Sequence, residues 1–174
     1  MPAEVPPDCA SIDADFIAYW SRRYPLGNAE TRLFEEVGPS VADRGYYLRD
    51  ELVRVCRWKS PRSASYVGRN SDEDIEDVSR LAFRAPERLR HRVLGLLGGV
   101  GTPMASALLT VAFPGRFTVI DYRALETLRA HGESDEGWPT YGDYLAVCRR
   151  LAGADTTLRS LDRALWQWSK EQAA

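Results

Sequence analysis

The chain has 174 residues, 44% of them apolar and 28% charged, with a net charge of −2 at pH 7. That describes one globular domain, or one domain with two lobes, able to bury a core without disulfides or a metal. The charge balance argues against a protein that coats nucleic acid through bulk charge.

Ser11 or Asp13 caps a first helix that runs to about Tyr24, with Phe16, Ile17 and Trp20 on one face. Pro25 and Gly27 end it. A second helix is predicted from about Asn28 to Val37, stopped by Gly38-Pro39. Tyr46 to Trp58 reads as an amphipathic helix, because Leu48, Leu52, Val55 and Cys56 recur at helical spacing, and Ser60-Pro61 breaks it. Tyr66, Arg69 and Asn70 fall in a polar loop. Ser71 caps the next helix, whose first turn holds Asp72, Glu73 and Asp74, where the helix dipole favours acids; it reaches about Arg84. Pro86 starts another, carried by Leu89, Val93, Leu94 and Leu97 and expected to end near Leu97. Gly98 to Gly101 then form a tight turn. A helix follows from Thr102 to Phe113, an extended stretch from Phe117 to Ile120, and a helix from the Asp121 cap to about Arg129. Thr140 to Leu151 and Thr156 to Lys170 complete the chain. Sustained alternation and repeats are absent, so the expectation is an all-α fold of nine or ten helices.

No apolar run approaches the roughly 18 residues of a bilayer span, so no membrane partner is expected. Met1 to Ala10 carries Glu4, Asp8, Pro2, Pro6 and Pro7, without the basic start or apolar stretch of a signal peptide. It reads as a frayed tail on a cytoplasmic protein, taken here as a monomer. Cys9, Cys56 and Cys148 lie far apart and the histidines are His91 and His131, so neither a zinc site nor an iron–sulfur cluster is expected. Arg44, Arg49, Arg54, Arg57, Lys59, Arg62 and Arg69 form one basic run and Arg80 to Arg92 a second, while Asp72, Glu73, Asp74, Glu76 and Asp77 gather the acids. A basic face on an acidic protein and ordinary solvated helix surface both account for this.

Leu94 to Ala105 fits the pattern L-x-x-L-x-G-V-G-x-x-x-A. The leucines pack one helix on the next, Gly99 and Gly101 permit the reversal, and Ala105 lets the helices approach. The tip, Gly99, Val100, Gly101 and Thr102, presents backbone N–H groups at a helix N-terminus, which suits a DNA phosphate. A plain αα-hairpin with a glycine turn is the competing reading.

With Leu108, Leu109, Ala112-Phe113 and Val119-Ile120-Asp121, this stretch resembles the helix-hairpin-helix DNA glycosylase superfamily, typified by endonuclease III, strongly from about Leu89 to Leu128. The resemblance implies a single two-lobed all-α domain over residues 1–174, with duplex DNA as partner; no cofactor is expected, because the cysteines of the family's iron–sulfur loop are missing. It also implies a catalytic role for Asp121, which follows Gly101 by twenty residues, as the family's aspartate follows its last hairpin glycine. A simple helix N-cap explains Asp121 equally. Two departures stand out. Pro103 occupies the position of the family's Schiff-base lysine, so lyase chemistry is not expected. The four cysteines of the iron–sulfur loop have no counterpart after Asp121. In the family, elements from the region around Trp58 line the base pocket, so the resemblance makes Arg57, Lys59 and Arg62 candidates for holding phosphates, and Trp58, Tyr66 and Tyr122 for edging a base pocket. Arg57, Trp58 and Lys59 also read as an ordinary helix C-terminus, which cations favour. The expected function is a monofunctional DNA N-glycosylase. A non-catalytic DNA-binding module is the alternative, and a protein-interaction domain a third.

Overall fold

A computed structural model describes residues 10–173. The all-α class agrees with expectation: every regular element among these residues is a helix, with no strand. The expected frayed tail lies almost wholly outside the described residues. No helix among them is long and apolar enough to cross a membrane.

The chain divides into two compact units. The first combines residues 10–25 with 120–173. It holds α1 (Ala14–Arg23), α9 (Tyr122–Ala130), α10 (Tyr141–Ala152) and α11 (Leu158–Gln172). Each start is set by a side chain accepting an N–H of the first turn: Asp13 from Phe16 at 2.9 Å, Asp121 from Ala124 at 3.0 Å, Thr140 from Asp143 at 3.2 Å and Thr157 from Ser160 at 3.0 Å. Phe16, Ile17 and Trp20 are buried as their spacing predicts. Leu158, Leu161 and Leu165 form the buried face of α11, and the Thr127 hydroxyl donates to the Leu165 carbonyl at 2.6 Å, tying α9 to α11.

The second unit, Leu26–Val119, holds α2 (Asn28–Arg32), α3 (Gly38–Arg44), α4 (Arg49–Lys59), α5 (Ala64–Val67), α6 (Asp72–Arg84), α7 (Arg90–Leu94) and α8 (Thr102–Ala112). Its core is α8, in which every residue from Met104 to Ala112 is buried. A helix enclosed on all sides needs apolar residues on every face. Its two hydroxyls bond back along the helix, Ser106 to the Pro103 carbonyl and Thr110 to the Ser106 carbonyl, both at 2.7 Å. Tyr47 enters this core ahead of α4. Its N–H reaches Ser79 Oγ at 2.9 Å and its hydroxyl donates to the Leu108 carbonyl at 2.7 Å.

Four boundaries differ from the sequence expectation. The helix expected from Tyr46 starts at Arg49, with Leu48 exposed at its cap position. Gly38-Pro39 does not stop the second helix. The chain passes through a π-helical turn, Leu33–Val37, and continues as α3 with Pro39 in its first turn, where its ring is tolerated. Gly38 serves packing instead: a Cβ there would lie 2.2 Å from the Val111 carbonyl oxygen of α8. The loop after Pro61 contains the short helix α5, which was not expected. The helix opened by Pro86 starts as a 3-10 turn, Glu87–Leu89, and α7 ends at Leu94 rather than near Leu97.

Candidate functional site

Beyond Leu94 the chain winds on in tighter turns, with N–H bonds from Leu96 to the Val93 carbonyl at 3.0 Å and from Leu97 to Leu94 at 3.1 Å. Three-residue winding places Leu94 and Leu97 on the same side. Both are buried, whereas Leu96 is 69% exposed. Val100 follows them into the core and donates to the Leu97 carbonyl at 3.2 Å. The exposed tip that remains is Gly98, Gly99, Gly101 and Thr102. Gly99 has a φ of +81°, and a Cβ on it would sit 3.0 Å from Tyr66 Cβ and 3.2 Å from Val67 N. Both left-handed backbone and the close approach of α5 therefore require glycine at this point. Gly101 is extended and precedes α8 without a side-chain cap. The N–H groups of Gly99, Gly101 and Thr102 have no acceptor among the described residues. Three outward donors at the positive end of an eleven-residue helix favour an anion.

Sequence reasoning did not find what holds this turn in shape. Asn70 accepts the Gly98 N–H on Oδ1 at 2.8 Å and donates from Nδ2 to the Gly98 carbonyl at 3.0 Å, so one amide grips one residue at both backbone groups. The same Nδ2 bonds the Val67 carbonyl at 2.7 Å. Arg49 secures the segment carrying Asn70: its guanidinium binds the Gly68 carbonyl, the Asn70 carbonyl at 2.6 Å and the Asp72 carboxylate at 2.6 Å. An asparagine in a polar stretch twenty-eight residues from its partner gives no sequence signal beyond its type.

Of the residues singled out from the sequence, Tyr66 stands at the turn. It is 60% exposed, its Cβ faces Gly99, and the Arg69 guanidinium lies 5.2 Å from its ring centroid. Arg62 is exposed in the turn between α4 and α5, and Lys59 is half-buried at the end of α4. Arg57 and Trp58 line a groove of about 360 Å³ with Ala29, Arg32, Leu33 and Arg54, where the half-buried Trp58 ring meets Phe34 edge-on at 5.8 Å.

Asp121 belongs to the other unit and is half-buried at the start of α9, where its Oδ1 accepts the Ala124 N–H. The cap bond fixes the orientation of the carboxylate, and the positive end of the helix favours its charge. Tyr122 beside it is 61% exposed, with the Arg123 guanidinium 5.1 Å from its ring. Asp121 acts electrostatically on Tyr144, whose hydroxyl burial holds well above the usual phenol range; Cys148, Asp162 and Asp121 push it further in the same direction. Burial also raises the Cys148 thiol to about 12, so it packs as a neutral group. Among the described residues, no three His, Cys, Asp or Glu side chains are grouped to hold a metal.

Fold and sites together define an all-helical chain with a clamped glycine turn in one unit and a helix-capping aspartate in the other. Comparison with protein-family models, with curated proteins and with solved structures gives no match.

Proposed function

We propose that the protein binds duplex DNA through the α7–α8 turn, read as a helix-hairpin-helix, and hydrolyses the N-glycosidic bond of an extruded damaged or modified base. The observation that carries the reading is the clamped turn, with its exposed glycine tip and three outward N–H groups. Such donors hold a phosphate without reading sequence. Arg57, Lys59 and Arg62 add phosphate contacts, Trp58 and Tyr66 offer aromatic faces to the DNA, and Tyr122 beside Asp121 edges the base. Asp121 supplies the carboxylate. As the bond from C1′ to the base nitrogen breaks, the sugar gains oxocarbenium character that the carboxylate stabilises. Water then bonds to C1′ and gives up a proton, and the base leaves carrying the electrons of the broken bond. The protein acts as a cytoplasmic monomer without a cofactor. Pro103 provides no amine at the first turn of α8, so the product is an intact abasic strand.

One observation favours the non-catalytic alternative: the Asp121 carboxylate already has a structural task as the cap of α9. A single experiment separates the two. Incubation with a panel of lesion-bearing duplexes, followed by alkali, should reveal abasic sites on at least one substrate. Asp121→Asn should lose that activity while retaining DNA binding, because asparagine caps nearly as well as aspartate. Borohydride should trap no covalent adduct. Duplex binding without excision on any substrate establishes the non-catalytic module, and a trapped adduct contradicts the hydrolytic route.

A further inference from the structure

The groove between α2, the π-helical turn and α4 is lined by three arginines and no carboxylate. Seven arginines elsewhere meet carboxylates: Arg23 with Glu171, Arg44 with Glu51, Arg49 with Asp72, Arg80 with Asp77, Arg116 with Glu87, Arg150 with Glu133 and Arg159 with Asp162. Around this one groove Arg32, Arg54 and Arg57 converge, and none of the three has a carboxylate or hydrogen-bond partner among the described residues. Three like charges gathered on one concave surface repel one another, and an anion seated between them relieves that repulsion. The remaining walls are the side chains of Trp58, Leu33 and Ala29. An aromatic and an aliphatic wall offer nothing to a bare inorganic anion. They suit a ring carried by the same ligand. The volume of about 360 Å³ falls at the small end of the ~300–1,000 Å³ range of small-molecule sites.

We infer that this groove binds a nucleotide unit, its phosphate held by Arg32, Arg54 and Arg57 and its base laid against Trp58. Two sources supply that chemistry, a free mononucleotide or one nucleotide of a single DNA strand. Guanidinium forks match phosphate oxygens in pairs, so three of them select a phosphate ester over a simple halide. Arg57 and Trp58 are shared with the contacts proposed above, whereas Arg32 and Arg54 are not, so the Arg32 and Arg54 variants separate the groove from the turn.

The test is calorimetric titration of the full chain with dAMP, deoxyadenosine, inorganic phosphate and a short single-stranded oligodeoxynucleotide. Saturable dAMP binding is expected, with deoxyadenosine and phosphate each at least about tenfold weaker, since each lacks half of the recognised ligand. The double variant Arg32→Ala/Arg54→Ala should weaken dAMP at least about tenfold, with an unaltered melting temperature. Trp58→Leu should erase the preference for dAMP over phosphate. Competition between the oligonucleotide and dAMP identifies a strand as the source, and dAMP binding without competition identifies the free nucleotide. Absence of dAMP binding, or dAMP binding unchanged in the double variant, overturns the inference. Neither result bears on excision at Asp121 or on the duplex at the turn, which the lesion panel reads independently.

Discussion

Asn70 works on the turn with both ends of its amide, and its energetic weight follows from where those bonds lie. Gly98 is exposed, so its N–H and carbonyl find water when the side chain is removed. The cost of Asn70→Ala is then the net value of two or three hydrogen bonds, about 0.5–1.5 kcal/mol each, rather than a burial penalty. The melting temperature should fall by several degrees, and hydrogen exchange at the Gly98 amide should accelerate. Asn70→Asp keeps the acceptor for the Gly98 N–H and loses the donor, so its exchange rate should lie between the two. A Gly98 amide that exchanges at the same rate in Asn70→Ala would remove Asn70 from the support of the turn. The other site residue, Asp121, was legible by type and position because a helix start follows it. Its surroundings were not: the buried Tyr144 of α10 lies within electrostatic reach of it, as it does of Cys148 and Asp162.

At the level of elements, side chains that cap a helix from the residue before it were readable from sequence. Asp13, Ser71, Asp121 and Thr140 each bond an N–H three residues ahead, an interaction that needs no knowledge of the rest of the chain. Glycine was harder, because the same residue stops a helix or admits a neighbour. Gly38 looked like a stop and proves to be a point of close approach, decided by Val111, which lies far away in sequence. Gly142 in α10 supplies the contrast: a Cβ there would have Thr140 Oγ1 as nearest neighbour, at 3.9 Å. Helix propensity alone raises stability by about 0.5–1 kcal/mol for glycine to alanine. Gly142→Ala should show that gain in a denaturant melt. Gly38→Ala should instead lose about 1–3 kcal/mol or more, because backbone must shift to admit the methyl group. Equal effects at the two sites would contradict the packing of α3 on α8. The early end of α7 escaped sequence reading for a related reason. Leu94 and Leu97 fit helical spacing and three-residue turns alike, and the burial of both decided the outcome.

For the whole molecule, composition and periodicity were enough to expect an all-helical chain, because caps and apolar faces are local properties. The division into two units, with residues 10–25 joined to 120–173, depends on pairings such as Arg23 with Glu171 and carries no local signature; only the resemblance led to an expectation of two lobes. A net charge of −2 also means that the proposed affinity for DNA must come from a small, defined surface rather than from the field of the whole protein. Binding to a duplex of arbitrary sequence should be modest and should weaken as salt rises, with a slope set by the few phosphates engaged. The central claim is that the α7–α8 turn holds those phosphates, and Thr102→Glu addresses it most directly. Thr102 is exposed in the first turn of α8, where a carboxylate favours the helix dipole, so the variant should melt at or above the wild-type temperature. The same carboxylate sits where the phosphate is placed. Measured by fluorescence anisotropy across a salt series, duplex affinity should drop about tenfold or more in Thr102→Glu, with a shallower salt dependence. A fully folded Thr102→Glu protein that binds duplex DNA with wild-type affinity and wild-type salt slope would contradict the account.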